Sequence, residues 1–203
     1  MDLASGVRNF RVLGALCIGL IAVAVIVPQQ AQADTRVVSG GETRLEVNVA
    51  NFVKLLGDGI FITPIAPAQL VFGSNPAAIF PASTGVADAV LQTATVPHQG
   101  GLHIEKSSIG QAIDATNVTL ACVNAGTITL AGCHLLNTAN NLLPNELAEV
   151  KDFTFTDNGT GTVTITGRAT ITAVTALVLN TLFQTQVFTE GMELGVATST
   201  LRY

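Results

Sequence analysis

Two cysteines and three histidines are the residues of this sequence whose chemistry can be read first. Cys122 and Cys133 lie close together in the chain, and a third cysteine, Cys17, sits inside an apolar amino-terminal run. If that run is removed on export, an even pair of thiols remains in an oxidising compartment, where such pairs form disulfides. Closing so short a loop stabilises by about 3 kcal/mol in the chain-entropy model. The spacing raises a geometric objection. A tight turn at Asn124-Ala125-Gly126 places Cys122 opposite Ile128 and leaves Cys133 roughly 17 Å further along the strand. A bridge needs Cα atoms within about 7 Å. Either Gly132 turns the chain back, or the connection is wider than a tight turn. The bridge is expected on redox grounds.

The histidines are His98, His103 and His134. His98 stands in Pro97-His98-Gln99-Gly100-Gly101-Leu102, a turn that opens a strand. His103 and Glu105 share one face of that strand, with Leu102 and Ile104 on the other. Gathered together, the three could ligate a metal or haem iron. None has the spacing of a zinc site. The simpler reading is a turn histidine bonded to backbone and two surface histidines. No nucleophile elbow, phosphate loop or dinucleotide fingerprint is present, so no catalytic residue is assigned. Asn117-Val118-Thr119 and Asn158-Gly159-Thr160 are glycosylation sequons if the host glycosylates.

The elements that must position these residues begin after an export signal. Arg8 and Arg11 precede an uncharged run, Val12 to Val27, then Pro28 and Ala31-Gln32-Ala33. This is the order of a signal peptide, residues 1–33, with the mature chain starting at Asp34. The apolar run is shorter than the roughly 20 residues of a spanning helix. Residues 34–203 then read as one β-rich domain. The mature chain has seven basic and thirteen acidic residues. That balance argues against a nucleic-acid partner. No later segment is apolar enough to span a membrane. A secreted, periplasmic or cell-surface location is expected, with a protein or cell-surface partner possible.

Alternation of apolar and polar residues marks a strand at Arg44–Val49 and two more at Phe153–Phe155 and Val163–Ile165. The latter pair flanks Asp157-Asn158-Gly159-Thr160-Gly161, a hairpin signal. Further strands are expected at Ile60–Thr63, Gln69–Phe72, Ala89–Val96, Leu102–Lys106, Thr116–Val123 and Thr127–Ala131. Two short helices are expected. Asn51–Leu56 would bury Phe52, Leu55 and Leu56. Thr172–Phe183 would have Thr172 as N-cap and Val174, Leu177, Val178 and Leu182 inward. Each lies between strands, and the two ends of the mature chain read as paired elements of one domain. Gly73–Gly85 and Asn137–Pro144 read as long loops. The expected fold is mainly β: an antiparallel β-sandwich or barrel-like domain with two short helices.

The stretch Val96–Leu120 resembles a segment of the HtaA domain, a β-rich module of secreted and surface-anchored bacterial haem-uptake proteins. The resemblance rests on His98, Gly100, Gly101 and Leu102. It extends to a strand running into an aromatic-bearing segment, Leu45–Leu56 with Phe52. It implies a haem cofactor with His98 among its binding residues. One feature departs from the family, which ligates iron through a tyrosine near that first segment. Here the only tyrosine is Tyr203, and Phe52 has no oxygen to offer iron. Poor haem binding is therefore expected, and no cofactor is assigned from the residues themselves. The leading functional reading at this level is a non-catalytic structural or adhesive protein. A haem or apolar-ligand binding module comes second, and a hydrolase with an unrecognised site third. An apolar pocket with His98 in its wall would favour the second.

Overall fold

The computed structural model describes residues 33–123, 132–139 and 141–203. Nearly all of the expected signal peptide, Cys17, the Asn124-Ala125-Gly126 turn and the expected strand Thr127–Ala131 lie outside them. Among the described residues the chain runs β1 (Thr35–Val38), β2 (Gly40–Val47), α1 (Val49–Gly57), β3 (Phe61–Ile65), β4 (Gln69–Val71), β5 (Ala77–Ala82), β6 (Gly85–Asp88) and β7 (Thr93–Pro97). It continues through β8 (Gly101–Lys106), β9 (Gln111–Thr116), β10 (Val118–Val123), β11 (Gly132–Asn137) and β12 (Glu146–Asp157). It ends with β13 (Thr162–Ile171), α2 (Ala173–Phe183) and β14 (Glu193–Arg202).

The strands form a large antiparallel sheet, ordered β1-β6-β7-β10-β11-β12-β13-β14-β2-β5-β4, and a small one, β3-β8-β9. The large sheet curls into a half-barrel, as the mainly β, barrel-like expectation holds. Its two arms meet where an Ala82–His98 bridge joins the end of β5 to the end of β7. Ser83 N–H to Pro97 O (2.8 Å) and Gln99 N–H to Pro81 O (2.9 Å) reinforce that seam. The ends of the described chain are paired as expected: β2 lies beside β14, with Gly40 opposite Arg202 and Val47 opposite Gly195.

Two clusters fill the interior. One lies within the barrel wall and includes Val96, Leu120, Cys122, Cys133, Val163 and Leu201. The other gathers Leu55, Ile60, Ile113, Leu179, Phe183 and Phe188 from the two helices, the small sheet and the segment before β14. The disulfide is formed. Cys122 and Cys133 stand directly opposite one another across β10 and β11, with Cα atoms 3.9 Å apart. The connection between the two strands lies outside the described residues.

Local chemistry explains the hairpin and the caps. The Asn158 side chain accepts the Thr160 and Thr162 N–H groups, and Gly159 takes φ +68°, so the β12–β13 turn closes where the Asn-Gly pair predicts. Asn48 caps α1 through Asn51 N–H, one turn earlier than the apolar pattern suggests. Thr172 caps α2 by accepting Thr175 N–H, as expected.

Several expectations are corrected. On α1, Leu56 faces outward while Leu55 is buried. On α2 the buried residues are Thr175, Ala176, Leu179 and Phe183, whereas Val174 and Leu177 are exposed. This helix is apolar nearly all round, so spacing alone carries no phase. Packing sets it, and Thr175 turns inward because its hydroxyl donates to Glu146 O (3.0 Å). The Gly73–Gly85 stretch is not all loop, because β5 forms within it and pairs with both β2 and β4. Partners on both sides override the weak signal of its alanines and Pro81. The strand expected from Ala89 starts at Thr93, because the Asp88 carboxylate accepts the Val90 and Leu91 N–H groups and bends the chain there. Finally, the strand expected over Thr116–Val123 is broken at Asn117 (φ +54°), which separates β9 in the small sheet from β10 in the large one.

Candidate functional site

Strand phase builds the site. In β2, Thr43 occupies the same alternating face as Leu45, and in β14 Ser199 shares its face with Ala197 and Leu201. The two hydroxyl residues are exact cross-strand partners in the β2–β14 register. Facing them at the barrel seam is His98, 5% exposed. Its Nδ1 lies 3.2 Å from Val118 O and its Nε2 lies 2.6 Å from Thr43 Oγ1. A carbonyl can only accept, so Nδ1 carries the proton and Nε2 presents a lone pair. The Thr43 hydroxyl then donates to Nε2 and accepts from Ser199, 2.6 Å away. Burial pushes the imidazole down to about 4, partly offset by its bonds to the Val118 and Val96 carbonyls. His98 is therefore a neutral, fully partnered group at neutral pH.

The glycines beside it have a structural use. Gly100 adopts φ +77°, and a Cβ there would stand 2.5 Å from Ile65 O. A Cβ on Gly101 would stand 2.1 Å from Ala115 O. These two positions let β8 leave the turn hard against its neighbours, a close approach that only glycine permits.

Next to His98 lies a cavity of about 150 Å³ between the half-barrel, the small sheet and α2. Leu45, Phe80, Leu102, Ile104, Leu147 and Leu179 are among its walls, with Thr43, His98 and Thr175 as the polar residues. All three polar side chains are committed to bonds within the fold. A second void of about 80 Å³ lies against α1 and shares Leu45, Leu55, Ile62, Leu102 and Leu194 with the first.

The other histidines lie apart from this cavity. His103 projects from the outer face of the small sheet, as strand alternation predicts. It contacts Asp114 (2.6 Å), whose hydrogen bond raises its pKa, with Glu105 adding to the effect. His134 is buried rather than on the surface. Its Nδ1 meets Glu146 at 2.7 Å, and its Nε2 has no hydrogen-bond partner. Among the described residues no cluster of three His, Cys, Asp or Glu side chains could hold a metal ion. Tyr203 is far from the candidate ligand role: its hydroxyl donates to Asp157 (2.8 Å) and its ring lies under the Arg36 guanidinium.

No family model and no curated protein matches the sequence. A search of solved structures finds the C-terminal domain of HtaA from Corynebacterium glutamicum, with a TM-score of 0.54 and 11% identity over 82% of this chain and 98% of that one. The chain has the HtaA-domain fold. The heme binding protein HtaB from the same organism is also found, at a TM-score of 0.48 and 19% identity over 84% of this chain and 96% of that one. The resemblance read from His98, Gly100, Gly101 and Leu102 is thus matched at the level of fold. Within the HtaA-domain fold of this chain, sequence reading found His98 but missed Thr43 and Ser199. The available signal was a hydroxyl residue on the buried phase of each of two strands. Their register, which places them side by side, is not readable from either strand alone.

Proposed function

We propose that this chain is an exported, non-catalytic binding module for an apolar small molecule, held in the cavity beside His98. The single observation that carries this reading is an apolar cavity whose few polar side chains are all satisfied by the fold. A close-packed core with few voids is the rule, so a void of this size at a sheet-to-sheet junction is a feature to explain. A cavity near 150 Å³ lined by aliphatic and aromatic groups accommodates a ligand of roughly benzene size. The structural or adhesive reading is less well supported, because it has no use for the cavity. For the hydrolase reading, Thr43 meets a histidine, but that histidine is held by a backbone carbonyl rather than a carboxylate. Export is supported by the amino-terminal signal pattern and by the Cys122–Cys133 bridge.

Haem is the ligand suggested by the resemblance to haem-uptake domains. A neutral imidazole in an apolar wall is the right chemical type for iron. The residues present do not fit the group. Both ring nitrogens of His98 are engaged, no tyrosine or cation lines the cavity, and the void is below the roughly 300–1,000 Å³ of sites for drug-sized molecules.

One pair of titrations tests the function. Toluene followed by ligand-detected NMR should saturate at one site, and haem followed at the Soret band should give at most a weak shift. Absence of binding by toluene and by straight-chain alcohols alike would sink the apolar-ligand reading. A saturable Soret shift abolished by His98→Ala would replace it with haem binding.

A further inference from the structure

The two voids are neighbours with a shared wall, and their surroundings differ along their length. At the His98 end the first void is bounded by side chains buried in the barrel, and nothing polar there is left unpaired. The second void lies on the other side of the shared Leu55 and Leu102, against α1 and the start of β14. There the lining changes to Asn48, Asn51 and Glu193. These three are only partly buried. Asn48 Nδ2 approaches Glu193 Oε1 at 3.4 Å, Asn51 Nδ2 donates to Glu193 O at 2.8 Å, and Asn51 Oδ1 accepts from Lys54. The pair of voids thus has one dry end and one polar end.

We propose that the ligand is a single-chain amphiphile that occupies both voids, with its alkyl chain running from the α1 end toward His98 and a polar, non-anionic head at Asn48, Asn51 and Glu193. This rests on the apolar-ligand reading above and names its ligand class. The shape is the first argument, since a compact ring would fill only one void while a chain can occupy both. The distribution of polarity is the second. A hydroxyl at the dry end would find only Thr43, His98 and Thr175, whose donors are already used, and burying its own oxygen without a donor is costly. At the α1 end the amides and carboxylate of the partly exposed Asn48, Asn51 and Glu193 can receive it. The head is not anionic, because the Glu193 carboxylate, 4.0 Å from Arg168, would repel an anion.

The test uses the mature chain and straight-chain primary alcohols from butanol to decanol, with toluene as the compact probe. Affinity is measured by calorimetry. Each added methylene should tighten binding by about fourfold, the equivalent of burying one more CH₂, until the voids are full and the gain stops. Ala148→Val and Ala197→Val, which narrow the first void from different strands, should each bring that plateau to a shorter chain. Either one that keeps the native circular dichroism spectrum suffices. Octanoate should bind more weakly than octanol, and Glu193→Gln should shrink that difference.

Toluene binding with no gain beyond butanol would overturn the chain proposal and leave the apolar-ligand reading standing. Octanoate binding more tightly than octanol would overturn the non-anionic head. Failure of toluene and every alcohol would overturn the apolar-ligand reading and this proposal with it. Chain-length dependence with a plateau that neither filling variant moves would place the ligand elsewhere and overturn the assignment.

Discussion

His98 is held neutral by its surroundings, and that has a cost the fold must carry at low pH. Its ordinary value near 6.5 falls to about 4 in the folded chain. Between those values the unfolded state binds the proton and the folded state does not, so stability rises with pH across this window and falls as pH drops through it. The full effect is about 3 kcal/mol, reached below pH 4. His98→Gln, which keeps a donor and an acceptor, should flatten this dependence. Urea midpoints of wild type and variant at pH 4, 5, 6 and 7 would show it, and parallel profiles would refute the assignment. At this scale the site was half legible. A histidine before two glycines and a leucine drew attention by its residue types. Thr43 and Ser199 did not, because hydroxyl residues are common in strands and only pairing gives these two a shared role.

Pairing is decided between elements, and there the sequence speaks unevenly. The β12–β13 hairpin was legible because its turn chemistry is local and its side chains alternate. The α2 cap was legible for the same reason. The inward face of α2 was not, since Val174 and Leu177 are as apolar as the residues that pack. Strand β5 was hidden because Ala77–Ala82 has little propensity of its own and exists through β2 and β4. The Cys122–Cys133 bridge belongs to this scale as well. It ties β10 to β11 across a connection of sequence separation 11, and in the chain-entropy model such a loop contributes about 3 kcal/mol. Reduction should lower the urea-unfolding free energy by about that amount, while a thiol assay on denatured, unreduced protein should find none. Two reactive thiols per chain would remove the bridge from the account.

For the whole molecule, the mainly β class and the pairing of β2 with β14 were legible from alternation and order. The curl that brings β5 to β7 at His98 was not, because closure depends on the summed twist of many strands. Among the described residues no helix is long and apolar enough to cross a membrane. An exported molecule should begin at Asp34, and intact mass measurement of secreted material would check this. Recovery of the Met1-containing chain from membranes would instead identify an anchored protein.

The stacking of Arg36 on Tyr203, 5.0 Å from guanidinium to ring centroid, puts the first strand of the described body and its last residue within touching distance. Such a body has no topological need for its particular start. A linker of a few residues could join Tyr203 to Asp34, and new ends could be opened at the exposed Asn158–Gly159 turn, where the chain reverses at the surface. Short closures of this kind add little entropic cost, and exposed turns are where circular permutants succeed. The rearranged chain should still bind toluene, with an unfolding midpoint close to that of the parent. A permutant that binds nothing and unfolds without cooperativity would show that the order of the strands, and not only their contacts, is needed to form the cavity.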